Sequence, residues 1–277
     1  MTSADQAAGG AREAGPDFIE ALARGLDVLR CFGPGRPVMT LSEIASTTGL
    51  ARPTVRRILL TLSELGYTRT ADRGYALTPR VLELGMAYIG SLNMWEIARP
   101  HMQALVAQTN ESTSMAQLDG CDIVYMARVA VPKIVTLAVT IGTRFPAPAT
   151  SMGKVLLAAL APAELDRVLA APSRSGVVPR WRPERDELDR TLREVRARGW
   201  ALADEDLAPG IRSVATGVRD GHGRVVAAMN VTVHAAETSV EKLTGEHLPR
   251  LLRTAGDISR DLALADRTPI EISRPGW

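Results

Sequence analysis

Two short helix signals joined by a glycine turn constrain this chain more than anything else in it. Thr40-Leu41-Ser42-Glu43 reads as a capping box, in which the Thr40 hydroxyl and the Glu43 carboxylate satisfy orphan backbone donors at a helix start. That helix is short, because Gly49 stops it. Arg52 follows, then Pro53 in a first turn where a missing N–H costs nothing, and a helix is predicted to run to about Leu65. Upstream, Ile19, Leu22, Leu26 and Leu29 have helical spacing and end before Gly33-Pro34-Gly35. Downstream, Gly66–Thr70, Ala71–Gly74 and Tyr75–Thr78 read as a hairpin. Helix, capped short helix, proline-started helix and hairpin together predict a winged helix-turn-helix over residues 18–78.

The third helix supplies the reason to expect DNA. At about 100° per residue, Val55, Ile58, Leu59, Leu62 and Leu65 share one face, and Pro53, Arg56 and Arg57 fall on the other. Arg69 and Arg73 lie near the hairpin tip, the place of a wing. Guanidinium groups suit both phosphate contacts and bidentate reading of guanine. The whole chain carries a formal charge of only +2, but residues 19–90 hold nine arginines against six acids. Two arginines alone describe a solvated helix face equally well; the order of the elements favours DNA. The candidate contacts are Arg52, Thr54, Arg56, Arg57, Arg69 and Arg73.

With 277 residues there is room for two cores. Met1–Asp17 lacks an apolar run and is expected to be a disordered tail, not a signal peptide. No stretch of about 18 apolar residues occurs, which predicts a cytoplasmic protein with no membrane partner. From Pro79 to about Gln108 the pattern is helical, with Val81, Leu84, Gly85, Tyr88 and Leu92 on one stripe and Pro100 marking a break. Residues 79–96 are read as a linker helix whose stripe either forms a dimer seam or packs on its own chain. Residues 97–265 alternate strand and helix, and 266–277 form a tail. Ser114–Leu118 and Ile123–Val129 flank the hairpin signal Asp119-Gly120, and Ile134–Ile141, Val214–Val218 and Val225–Val233 are further strands. Helices are predicted at Ser151–Leu160, Ala163–Leu169, Arg185–Arg198 and Val240–Ala263. The fold class is α+β, an antiparallel sheet with packed helices.

Signals for chemistry are weak. Ser151-Met152-Gly153-Lys154 satisfies S-x-x-K, so a serine acyl-transfer enzyme using Ser151 and Lys154 is the alternative; its companion motifs S-D-N and K-T-G are missing. Gly153-Lys154 fails as a phosphate loop, since Pro148 stands where a glycine is required and Val155 where Ser or Thr would hold magnesium. Asp204-Glu205-Asp206 lacks further spaced ligands, the four histidines show no ligand spacing, and Cys31 and Cys121 stand far apart. No catalytic residue, metal or cofactor is therefore expected.

Several separated motifs resemble the isocitrate-lyase-regulator (IclR) family of bacterial transcription regulators, over about Phe18 to Ala263. They are Leu41–Ala45 with Thr48–Leu59, Tyr75–Thr78, Gly142–Lys154, and Asp204–Asp206 leading to Gly210–Ala215. Within the family the chain looks most similar to regulators of the protocatechuate and β-ketoadipate pathway. The resemblance implies a double-stranded DNA operator, a small aromatic or dicarboxylic acid effector, control of catabolic genes, and a homodimer or dimer of dimers. It also implies a pocket in which the N–H groups of Ser151 and Met152 meet a carboxylate and Ser213, Asn230 and Thr232 supply polar contacts. A helix N-terminus favours an anion there. Leu137 and Met115 are expected to cover the body of the ligand. Asp204 is a further candidate, beside Ala203 where relatives can carry an acid.

Overall fold

In the computed structural model, residues 15–33, 35–91, 94–132 and 139–265 are described. The chain divides after Ser91 into two compact units.

The first unit contains α1 (Glu20–Arg30), β1 (Val38–Met39), α2 (Leu41–Thr48), α3 (Arg52–Glu64), β2 (Thr68–Ala71) and β3 (Gly74–Leu77), then a 3-10 turn at Pro79–Val81 and α4 (Leu82–Ser91). The capping box forms as its residues demand. Glu43 N–H donates to Thr40 Oγ1 at 3.2 Å, and Thr40 N–H donates to the Glu43 carboxylate at 2.7 Å. Gly49 ends α2 in the left-handed region, φ 67°. Val28, Ile44, Val55 and Leu59 are the buried centre that locks α1, α2 and α3 together. The strands form an antiparallel sheet in the order β1-β3-β2. Gly74, at φ 151°, is required where the hairpin crosses β1, because a Cβ there would lie 2.3 Å from the Met39 carbonyl oxygen.

The second unit is built on a six-stranded antiparallel sheet. Its elements are α5 (Met94–Thr109), β4 (Ser112–Asp119), β5 (Asp122–Val129), β6 (Arg144–Pro146), a 3-10 turn at Ala147–Ala149, α6 (Ser151–Ala158), α7 (Pro162–Ala170), α8 (Arg185–Arg198), β7 (Trp200–Asp204), β8 (Ile211–Arg219) and β9 (Val225–His234). The chain closes with α9 (Val240–Lys242), a π-helical turn at Leu243–His247 and α10 (Leu248–Ala265). The strand order is β6-β5-β4-β9-β8-β7. One face carries Ile123, Tyr125, Ala215 and Ala228 against Met152, Leu156 and Leu192 of α6 and α8. The other carries Met115, Val214, Met229 and Val231 against Met102 and Leu105 of α5 and Leu251 and Ile258 of α10. The sheet is therefore covered on both faces.

One expectation needs correction, and some elements were not foreseen. Pro100 does not break its helix: α5 runs through it, because Ala98, Met102 and Leu105 are fully buried on α10 and the sheet. Burying three apolar side chains outweighs the roughly 3 kcal/mol cost of an interior proline. The last helix starts at Val240 as expected, with a π-helical turn at Leu243–His247 within it. Two edge strands, β6 and β7, were not anticipated. The strand expected at Ile134–Ile141 falls largely outside the described residues, and Val139 and Thr140 are not strand.

Candidate functional site

The arginines of α3 are exposed, but they do not share one flank. Arg52 bonds to Ser42 at the start of α2, and Arg56 follows one turn later on that side. Thr54 and Arg57 instead line a groove of about 820 Å³ with α1 and α4, whose walls include Leu26, Ile58, Leu65 and Leu84. Arg69 on β2 and Arg73 in the two-residue hairpin turn are both exposed. The six predicted DNA contacts thus occupy the proline-started helix and the wing, with Thr54 half-buried between α3 and α1.

In the second unit a small cavity lies between the sheet and the start of α6. Tyr125, Arg128, Phe145, Met152, Leu207 and Ile211 are among its walls, and Ser151, Ser213, Asn230 and Thr232 are its polar floor. A polar rail crosses three strands of the sheet. The Asn230 amide donates to Thr232 Oγ1 at 2.9 Å, its Oδ1 accepts from Ser114 N–H at 3.0 Å, and Ser114 Oγ accepts from the Arg128 guanidinium at 3.1 Å. Across the cavity, the Ser151 and Ser213 hydroxyls are 2.7 Å apart.

Local structure explains why α6 begins here. Thr150, not Ser151, caps the helix: its hydroxyl accepts from Gly153 N–H at 3.0 Å. Ser151 and Met152 N–H therefore have no acceptor among the described residues, as the first donors of a helix do. Gly153 lets α6 sit directly on the Pro146–Ala149 turn, since a Cβ there would lie 2.0 Å from Ala147 O. Burial raises the Tyr125 phenol to about 12, so it stays neutral in the cavity wall.

Ser151, Met152, Ser213, Asn230 and Thr232 are brought together as expected. Two expected residues are not with them. Met115 is packed on the opposite face of the sheet, paired with Met229, because Ser114 takes the cavity face. Asp204 points away from the cavity, where Ala203 faces it, and its carboxylate bonds Arg212 at 2.6 Å. Leu137 lies outside the described residues. Arg128 and Tyr125 are cavity residues that the sequence reading missed. A β-bulge opposite Met115/Ala116 makes Met126 an extra residue, which turns both Tyr125 and Arg128 to the cavity although they are three apart.

The two residues of the S-x-x-K pair contact other groups, Ser151 the Ser213 hydroxyl and Lys154 the Asp206 carboxylate. Lys154 Nζ is buried 2.5 Å from the Asp206 carboxylate and 3.0 Å from Leu202 O, over the Trp181 ring. Among the described residues there is no group of three or more His, Cys, Asp or Glu placed to hold a metal ion. No helix among them is long and apolar enough to cross a membrane.

Comparison with known proteins agrees with this architecture. Residues 21–72 match the IclR helix-turn-helix domain, and residues 86–260 match the bacterial transcriptional regulator IclR C-terminal domain. The chain is 37% identical to the Pca regulon regulatory protein of Pseudomonas putida, covering 89% of this chain and 85% of that one. It is 31% identical to the p-hydroxybenzoate hydroxylase transcriptional activator of Acinetobacter baylyi, covering 87% and 91%. It also superposes on a crystal structure of an IclR homologue from Microbacterium hydrocarbonoxydans complexed with 4-hydroxybenzoate. That match has a TM-score of 0.76 and 26% identity, over 88% of this chain and 99% of the other. With an arginine-bearing helix-turn-helix in one unit and a polar-floored cavity in the other, the chain belongs to the IclR family of bacterial transcriptional regulators.

Proposed function

We propose that this protein binds an operator through Arg52, Thr54, Arg56 and Arg57 of α3 and Arg69 and Arg73 of the wing, and that a small aromatic or dicarboxylic acid in the α6 cavity tunes that binding to control catabolic genes. The observation that carries the effector class is the donor balance of the cavity. Among the described residues its walls contain one cation and no carboxylate. Besides that cation, its spare hydrogen-bonding capacity is the N–H groups of Ser151 and Met152, a proton of the Ser151/Ser213 pair, the Thr232 hydroxyl and one Asn230 N–H. Such a lining suits oxygen acceptors carrying negative charge. Relatives named for p-hydroxybenzoate hydroxylase control, and a homologue holding 4-hydroxybenzoate, favour the same chemistry.

The cavity's described walls enclose about 40 Å³. Benzene fits a protein cavity of about 150 Å³, so an aromatic acid must widen this one. Widening is what couples ligand to state, since a ligand bound equally by two arrangements shifts neither. Calorimetry with 4-hydroxybenzoate and adipate tests the reading: binding that weakens at least tenfold in Thr232→Val or Ser213→Ala supports it. Undiminished binding in both variants, or no binding to the native chain, contradicts it.

The acting species is a homodimer or a dimer of dimers, with residues 18–78 on DNA, 79–96 as the connection and 97–265 as the sensor, in the cytoplasm and without enzymatic activity. The ion-paired Lys154 supports the last point. Leu22 and Leu84 remain more than half exposed along the groove, an apolar surface suited to a second copy.

A further inference from the structure

We propose that Arg128 is the effector's charge partner, holding a carboxylate at the β5 end of the cavity and so selecting elongated acids whose second oxygen group reaches the start of α6. The inference rests on the reading of the cavity as the effector site.

Arg128 is half-buried, and burial pulls its guanidinium below its ordinary pKa. A cation taken out of water without a carboxylate beside it is costly. Among the described residues no acid lies within ion-pair distance of Arg128, and its hydrogen bond there is one N–H to a neutral hydroxyl, Ser114 Oγ. Three other enclosed cations of this unit do have acids beside them: Arg144 has Asp119 and Asp122, Lys154 has Asp206 and Arg212 has Asp204. Among the described residues four N–H donors of Arg128 have no partner, and the cavity has no acid.

Position sets the length of the ligand. Arg128 reaches from β5 to Ser114 on β4, and the Ser151/Ser213 pair stands over β8, with β9 between. Two strand spacings are about 10 Å, which the reach of both side chains shortens to roughly 6–8 Å. A para-substituted ring or a six-carbon chain with oxygen groups at its ends spans that gap. A full charge competes better for a carboxylate than the half charge of a helix N-terminus. A monocarboxylate therefore turns its carboxylate to Arg128, and its hydroxyl to Ser151, Met152 and Ser213.

Calorimetry on the full chain and on Arg128→Met, Arg128→Lys and Ser213→Ala, with 4-hydroxybenzoate, adipate and neutral 4-hydroxybenzamide as probes, tests this. The expected result is acid binding to the native chain that falls tenfold or more in Arg128→Met and stays within a few-fold in Arg128→Lys, with binding of the amide unchanged. Should Arg128→Met not fold, the acid-to-amide preference of Arg128→Gln decides in the same way. Acid binding equal in native and Arg128→Met protein, but lost in Ser213→Ala, would overturn the role of Arg128 and leave the cavity as the effector site. No acid binding by the native chain would overturn both.

Discussion

Individual side chains divide the work sharply. Arg56 is exposed on the helix proposed to carry the DNA face, so Arg56→Ala is expected to weaken binding to the preferred site by about 1–3 kcal/mol if it contacts a guanine. Arg69→Ala and Arg73→Ala, on the wing, should weaken all sequences alike and lower the salt slope by about one per lost phosphate contact. Fluorescence anisotropy against matched specific and scrambled duplexes checks both; unchanged affinity and slope in all three variants would remove this face. His247 supplies a second residue-scale test. It is buried in the π turn with no partner for its Nδ1 among the described residues, and burial lowers its pKa from the ordinary 6.5. The unfolded chain therefore takes up a proton first as the pH falls below about 6.5, and stability present above that pH is lost on the way down. Melting temperature measured from pH 8 to pH 5 should fall in native protein more than in His247→Gln, and identical curves would contradict it. Legibility at this scale followed strand parity. Asn230 and Thr232, two apart on β9, were readable as one face; Arg128 was not, since only the bulge at Met126 brings it to the side of Tyr125. Met115 was misplaced because its strand is buried on both faces, so apolarity says nothing about which side it takes.

Secondary-structure elements were most legible where turn chemistry marked their ends. The Thr40 box, Gly49, Pro53 and the Asp119-Gly120 hairpin each impose a specific backbone, and the structure has them. Strands β6 and β7 carried no comparable signal, because a short edge strand is defined by its neighbour's open hydrogen bonds, not by its own sequence. Pro100 misled for a related reason: local helix penalty lost to tertiary burial. The same close packing governs α6. A methyl group at Gly153 would overlap the Ala147 carbonyl, so Gly153→Ala should push the helix start off its proline turn at a cost of about 1–3 kcal/mol. Thermal unfolding should show the loss, together with weaker acid binding; full stability and binding would show that the contact does not set the cavity.

At the scale of the whole molecule, one helix-turn-helix unit covers too little DNA for genomic selectivity, which makes the apolar groove of α1, α3 and α4 important. Light scattering is expected to give a dimer or tetramer for the native chain, and Leu26→Asp or Leu84→Asp should shift it towards monomer with a loss of operator affinity. A monomeric native protein would contradict this. Two-domain organisation was legible because each unit carries its own periodic apolar set, whereas the coupling between units is not a property of any one motif.

The most direct measurement is a titration of the DNA upstream of its own gene with the purified full chain, at several salt concentrations, with and without 4-hydroxybenzoate or adipate. The account predicts selective binding over scrambled DNA, a steep salt dependence, and an affinity that changes severalfold with one of the acids. Binding no tighter than to scrambled DNA, with no response to either acid, would contradict it.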